Sequence, residues 1–246
     1  RICFNKDIVR MNEYIDIYCE RLMPGFWAEP VNALTNISFL IAAFFAYRLT
    51  ASLRGRRAEA IQKSTTKKLD CFAFARNDGQ VYVLIFLLLA IGTGSFLFHT
   101  LANGWAQMAD VLPILLYQLA FLVLYARGVM RQSWHGVLVL IGGFFAAIYL
   151  FALLPDSLLN GSLSYGPAFL FLSGLGIWHY CNATKEHCGL LLAAGIFLLS
   201  LAFRSADLAV CASFPLGTHF VWHVLNGAVL YLTARAYIQN ISTRSP

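Results

Sequence analysis

The sequence predicts an all-α integral membrane protein, a bundle of seven transmembrane helices with the N-terminus outside and the C-terminus in the cytoplasm. Two observations carry the fold class. Of 246 residues, 59% are hydrophobic and only 12% charged, about half the charged share of soluble domains. The apolar residues also gather in continuous runs, each near the roughly 20 residues a helix needs to cross the hydrocarbon core. Backbone groups in lipid must be satisfied internally, which leaves helices or closed barrels. Continuous runs of this length do not fit the alternating strands of a barrel.

The runs fall near 31–50, 81–101, 108–126, 136–154, 162–181, 189–210 and 217–238. The first opens after Pro30 and has Arg48 at its edge. The second carries Ser95 and His99 near its end, and the third opens with Asp110. The fourth holds no charged residue, and the fifth ends near His179. The sixth is the weakest, because its apolar stretch from Gly189 to Phe203 is short and then meets Arg204 and Asp207. The seventh opens with His219 and His223. No repeat, low-complexity tract or linker divides the chain, so residues 1–246 read as one domain. Residues 1–30 lack the apolar core of a signal peptide, and a start at Arg1 suggests a trimmed N-terminus.

Lys and Arg concentrate in cytoplasmic loops. Thirteen of the 18 fall on one face: Arg48, Arg54, Arg56, Arg57, Lys63, Lys67, Lys68, Arg76, Arg127, Arg131, Lys185, Arg235 and Arg244. The other face holds Arg1, Lys6, Arg10, Arg21 and Arg204. This bias sets the orientation given above. The basic 48–76 segment reads as a solvated cytoplasmic loop on anionic lipid. The same bias accounts for the +6 net charge, so nucleic-acid binding is not inferred.

Ionisable groups within membrane spans are costly and mark function by default. Topology places Ser95, His99, Asp110, His219 and His223 at one depth, near the outer face. Ser95 and His99 are one helical turn apart, as are His219 and His223. A His pair at that spacing grips one metal ion, and a third His completes a three-histidine zinc site with an open position. Such a site keeps a water whose pKa falls to about 7. Asp110 would take or orient its proton, and Ser95 would donate to an oxyanion. The alternative is that the His pair only hydrogen-bonds across the bundle. His135, His179 and His187 fall at the cytoplasmic end and read as interfacial residues.

The pattern Ser-x3-His at Ser95/His99, Asp110, and His-x3-His at His219/His223 resembles the alkaline ceramidases. These belong to a superfamily of seven-helix membrane hydrolases that includes the adiponectin and progestin receptors. Tyr18-Cys19-Glu20, the stretch Glu29 to Asn36, Gly94 to Thr100, and Asp207-x3-Cys211 before His219 to His223 are similar to ceramidase segments. The resemblance implies zinc on His99, His219 and His223, with Ser95 and Asp110 as catalytic helpers. It implies hydrolysis of the ceramide amide to sphingosine and a fatty acid, at the site that topology places toward the extracytoplasmic face. It also implies a disulfide between Cys19 and Cys211. Cys3 is placed on the same face as a competing partner, while Cys71, Cys181 and Cys188 are expected to be reduced. Some members bind calcium near the N-terminus, and Glu20 and Glu29 match that pattern. Ile17 and Leu22 stand where further oxygen ligands are expected, and Asp16 is off register by one.

Two other classes make different demands on the sequence. A receptor of the same superfamily would keep the metal site and release little fatty acid. A light-driven pump would need a Schiff-base Lys in the last helix, and residues 217–238 contain none. Arg204 and Asp207 are spaced for an i, i+3 ion pair. Of the Asn-x-Ser/Thr matches at Asn36, Asn160, Asn182 and Asn240, only Asn160 lies in an expected outer loop.

Overall fold

The structure is a computed structural model that describes residues 11–62, 69–155, 157–183 and 185–241, with backbone only for 57–62 and 69–77. Seven long helices follow in order: α1 Ile37–Gln62, α2 Leu69–Leu101, α3 Gly104–Gly128, α4 Trp134–Ala152, α5 Gly166–Asn182, α6 Gly189–Val210 and α7 His219–Ile241. A short helix, Pro30–Thr35, leads into α1, and a 3-10 turn, Leu158–Tyr165, leads into α5. Apart from an isolated bridge between Tyr14 and Asn103, the described residues hold no β-structure.

Five helical stretches are long and apolar enough to cross a membrane unaided: Pro30–Arg56, Asp78–Leu101, Gly104–Gly128, Trp134–Ala152 and Gly189–Val210. The last is the run expected to be weakest. It continues as helix through Arg204 and Asp207, because both side chains find partners inside the protein rather than in lipid. Helix α5 is 17 residues long, at the short end for a span. Helix α7 is diluted by His219, His223, Asn226, Thr233, Arg235 and Asn240, many of them buried against neighbouring helices. The protein is thus a multi-pass bundle of membrane helices.

Each long helix packs on the next in sequence, and α7 returns to α1 to close the ring. Helix α7 also touches α2, α3 and the short helix, so it is the shared wall of the bundle. One observation corrects the reading of 48–76 as a loop. Helix α1 continues to Gln62 and α2 begins at Leu69. Only 63–68, which includes Lys63, Lys67 and Lys68, lies outside the described residues. The stretch after Arg48 contains no proline and is rich in Ala, Leu and Arg, which favour helix. Arg54 and Asp78 pair across the two extensions at 3.2 Å.

His179 is also not interfacial. It is fully buried, its Nδ1 lies 2.5 Å from the Tyr125 hydroxyl, and its Nε2 lies 2.9 Å from the Glu186 carbonyl. Burial is tolerated because both ring nitrogens have partners.

Candidate active site

One end of the bundle holds a polar centre built from α2, α3, α7 and the N-terminal segment. His99 comes from the last turn of α2, and His219 and His223 from the first two turns of α7. All three are buried, and one ligand nitrogen from each lies within 4.8 Å of the others. The ring centroids are 4.7 Å apart for His99 and His223, 4.6 Å for the α7 pair and 5.2 Å for His99 and His219.

Second partners orient the rings. His99 Nδ1 lies 2.6 Å from Glu29 Oε2. His223 Nδ1 lies 2.9 Å from Thr35 Oγ1. The single hydroxyl proton of Thr35 goes to the Val31 or Asn32 carbonyl, at 2.8 and 3.0 Å. Thr35 therefore accepts from His223, and a carboxylate at Glu29 accepts from His99. Both rings then carry their proton on Nδ1 and present Nε2 to the centre. His219 is positioned by stacking, its ring 3.7 Å from that of Tyr18. His99 Nε2 and His219 Nδ1 are buried without a hydrogen-bond partner. Unpaired buried nitrogens are costly, and three neutral imidazoles suit a divalent metal. These residues fit a metal ion.

The backbone that carries the α7 pair is anchored by Asp207. Fully buried, it accepts from Thr218 N at 2.6 Å, His219 N at 2.9 Å and Cys19 N at 3.1 Å. It thus caps the N-terminus of α7, which favours a carboxylate. The ion pair expected with Arg204 is absent among the described residues, because the Asp207 oxygens are used by these amides. Gly217 makes the turn possible. Its φ is +64°, and a Cβ there would meet the side chains of Cys19 and Asp207. Cys19 and Cys211 are joined by a disulfide with a Cα–Cα distance of 5.3 Å, tying the N-terminal segment to the end of α6. Cys181 and Cys188 are free and exposed, while Cys3 and the side chain of Cys71 lie outside the described residues.

Ser95 is buried one turn before His99, and Asp110 is half-buried in the second turn of α3. They meet because α2 and α3 approach closely at Gly94. A side chain there would collide with the Ala109 carbonyl. This approach sets the Asp110 carboxylate beside Ser95 and within electrostatic reach of His99.

Glu20 and Glu29 hold structural roles. Glu20 accepts from Val31 N at 2.6 Å and Asn32 N at 2.8 Å, capping the short helix. Glu29 pairs with Arg21 Nε and accepts from Asn32 Nδ2 at 3.0 Å, besides holding His99. Burial alone would push its carboxyl up. The His99 contact, with Arg21 and Asn32, outweighs this and holds it below the usual carboxylate range. Calcium takes six to eight oxygens. Ile17 and Leu22 offer no side-chain oxygen, and all four carboxylate oxygens of Glu20 and Glu29 already accept hydrogen bonds. These residues do not fit a calcium ion.

An apolar cavity lies among the helices below the histidines. All seven long helices line it, through Phe39, Ile91, Phe121, Phe144, Leu172, Phe197 and Trp222 among others. Trp222 sits between the two α7 histidines in sequence, and the Phe39 ring is 6.3 Å from that of His223. Tyr165 packs edge-on against Trp222 at 4.7 Å. Arg204 lies 5.2 Å from the Tyr165 ring, donating to the Asn160 carbonyl at 2.7 Å and to Ser162 Oγ at 3.0 Å.

Nothing in the sequence pattern marks Tyr18, Thr35 or Arg21 individually as site residues. Tyr18 and Thr35 were visible only as members of short segments, and the ring or atom each supports depends on how distant segments meet. Comparison with curated proteins found no match. The ceramidase family model matches residues 17–245, which runs from the segment carrying Tyr18 and Cys19 to beyond the end of α7, and the chain belongs to the ceramidase family.

Proposed function

We propose that this protein is a zinc-dependent amidase of membrane lipids, cleaving the amide of ceramide or a related lipid to a sphingoid base and a free fatty acid. The observation that carries the reading is the buried three-histidine centre beside the Ser95–Asp110 pair, set above an apolar cavity. His99, His219 and His223 would hold the zinc. Bound there, zinc supplies a Lewis acid and makes water ionisable near neutral pH.

The chain's own groups supply the rest. Asp110 takes a proton from the attacking water and delivers it to the amide nitrogen as the C–N bond breaks. The Ser95 hydroxyl turns from Asp110 to the carbonyl oxygen as negative charge develops there. Glu29 and Thr35 hold two of the rings in one tautomer throughout. Phe39, Phe121, Phe197 and Trp222 receive the acyl chain, so the substrate need not leave an apolar environment to reach the site. The Lys and Arg bias puts this end on the extracytoplasmic face, where a Cys19–Cys211 disulfide is chemically stable.

The test is made on purified protein in detergent. Bound metal is quantified by mass spectrometry, and fatty-acid release from ceramide is followed with and without a zinc chelator. One zinc per chain and chelator-sensitive release are expected. Zinc without release from ceramide or related lipid amides would favour a receptor over a hydrolase. A folded, never-chelated sample free of zinc would remove the metal from the proposal.

A further inference from the structure

Arg21 is a cation buried where a charged group needs a strong reason to be. Its side chain is 1% exposed, and each of its three nitrogens has a partner. Nε pairs with Glu29 Oε1. Nη2 donates to the His99 carbonyl at 2.8 Å, and Nη1 to the Gly25 carbonyl at 3.3 Å. Glu29 passes the contact on, its second oxygen lying 2.6 Å from His99 Nδ1. One guanidinium thus grips both the carboxylate that orients His99 and the backbone of His99 itself.

The surroundings explain why the cation is an arginine. Glu20 and Glu29 are both buried and both matched the calcium pattern, yet their environments differ. Glu20 is satisfied by two backbone amides at the start of the short helix. Glu29 has Arg21. A planar fork delivers directed donors to a carboxylate and two carbonyls, all of them acceptors that a hard divalent ion would also seek. A calcium ion at that place would meet the guanidinium itself.

We propose that Arg21 is a built-in replacement for a calcium ion. It is a positioning residue that acts on the metal centre through Glu29 and His99, so the centre is assembled without calcium. The inference rests on His99 being a zinc ligand, as proposed above, but not on the identity of the lipid.

The experiment reads melting temperature and zinc affinity, not turnover. Purified zinc-loaded protein is melted in a calcium buffer and in a calcium-selective chelator that leaves zinc bound. Coincident curves are expected, and a calcium-dependent rise in melting temperature would overturn the inference. Zinc dissociation constants are then compared for the native protein, Arg21→Lys and Arg21→Met. Removal of a group that orients a metal-bound histidine typically costs 10–100-fold in affinity, so Arg21→Met is expected to fall in that range and Arg21→Lys, which keeps the charge, between the two. Native zinc affinity in Arg21→Met would overturn the positioning role. Because Arg21→Met can fail to fold, Ile17→Asp/Arg21→Gln/Leu22→Asn provides a second variant, which restores oxygen ligands. It is expected to melt higher when calcium is added, and indifference to calcium in this folded variant would count against replacement. These readouts involve no substrate, so they separate this inference from the ceramide assignment.

Discussion

Thr35 and Asp110 stand in different relations to the metal centre, and their substitution separates holding a metal from using it. Thr35 accepts from His223 Nδ1, so Thr35→Val keeps the shape and removes the acceptor. Zinc affinity is expected to fall about 10–100-fold, measured by competition with a chromogenic chelator. Asp110 touches no histidine among the hydrogen bonds of the site and lies beside Ser95. Asp110→Asn should retain one zinc per chain while turnover drops by about 10²–10⁴-fold, the usual share of a general acid–base group. Turnover equal to that of the native protein would strip Asp110 of its proposed role. His223→Ala should behave oppositely and lose the metal, with α7 still helical by circular dichroism.

At the level of elements, the site depends on how two helix ends are fastened. The start of α7 is held by Asp207 and by the turn at Gly217. Gly217→Ala would place a Cβ against Cys19 in a left-handed conformation, which costs about 1–2 kcal/mol before any clash is counted. A lower melting temperature together with weaker zinc binding is expected, since the same turn positions His219. An alanine variant with native melting and native zinc content would show that α7 does not depend on this turn. The N-terminal segment is fastened by the Cys19–Cys211 disulfide, which closes a separation of 192 residues. Cys211→Ser should lose about 2–4 kcal/mol of stability. The loss should appear in oxidising buffer and vanish when both proteins are compared under reduction.

On the scale of the whole molecule, the ring of helices sorts its chemistry by depth. One end holds the histidines, Ser95, Asp110 and the disulfide. The opposite end holds the Arg54–Asp78 pair, the Arg235–Glu186 pair and the free thiols Cys181 and Cys188. The basic residues of that second end support the proposed cytoplasmic orientation. On a Cys3→Ser/Cys71→Ser background, a membrane-impermeant thiol reagent should therefore leave Cys181 and Cys188 unlabelled in intact cells and label both after permeabilisation. Labelling of intact cells would invert the topology proposed here.

The number and order of the long helices, five of them long and apolar enough to cross a membrane unaided, were readable from composition and run length, because the bilayer imposes length and helical structure on each span. Helix spacing likewise placed Ser95 with His99 and His219 with His223, since residues four apart share a face whatever the fold. Other features required the folded chain. The helical extensions of α1 and α2 beyond the apolar runs were hidden because charged residues form helix as readily as they form loops. The contacts of Glu29 with His99 and of Thr35 with His223 span 70 and 188 residues, distances over which no periodicity carries information. Arg204 and Asp207 had the spacing of an ion pair, but Asp207 is taken by the amides at the start of α7 and Arg204 by the turn before α5. Spacing along a helix establishes which side chains can meet. Packing decides which of the competing donors and acceptors reach them first, because a buried polar group is held by whichever partner desolvates with it.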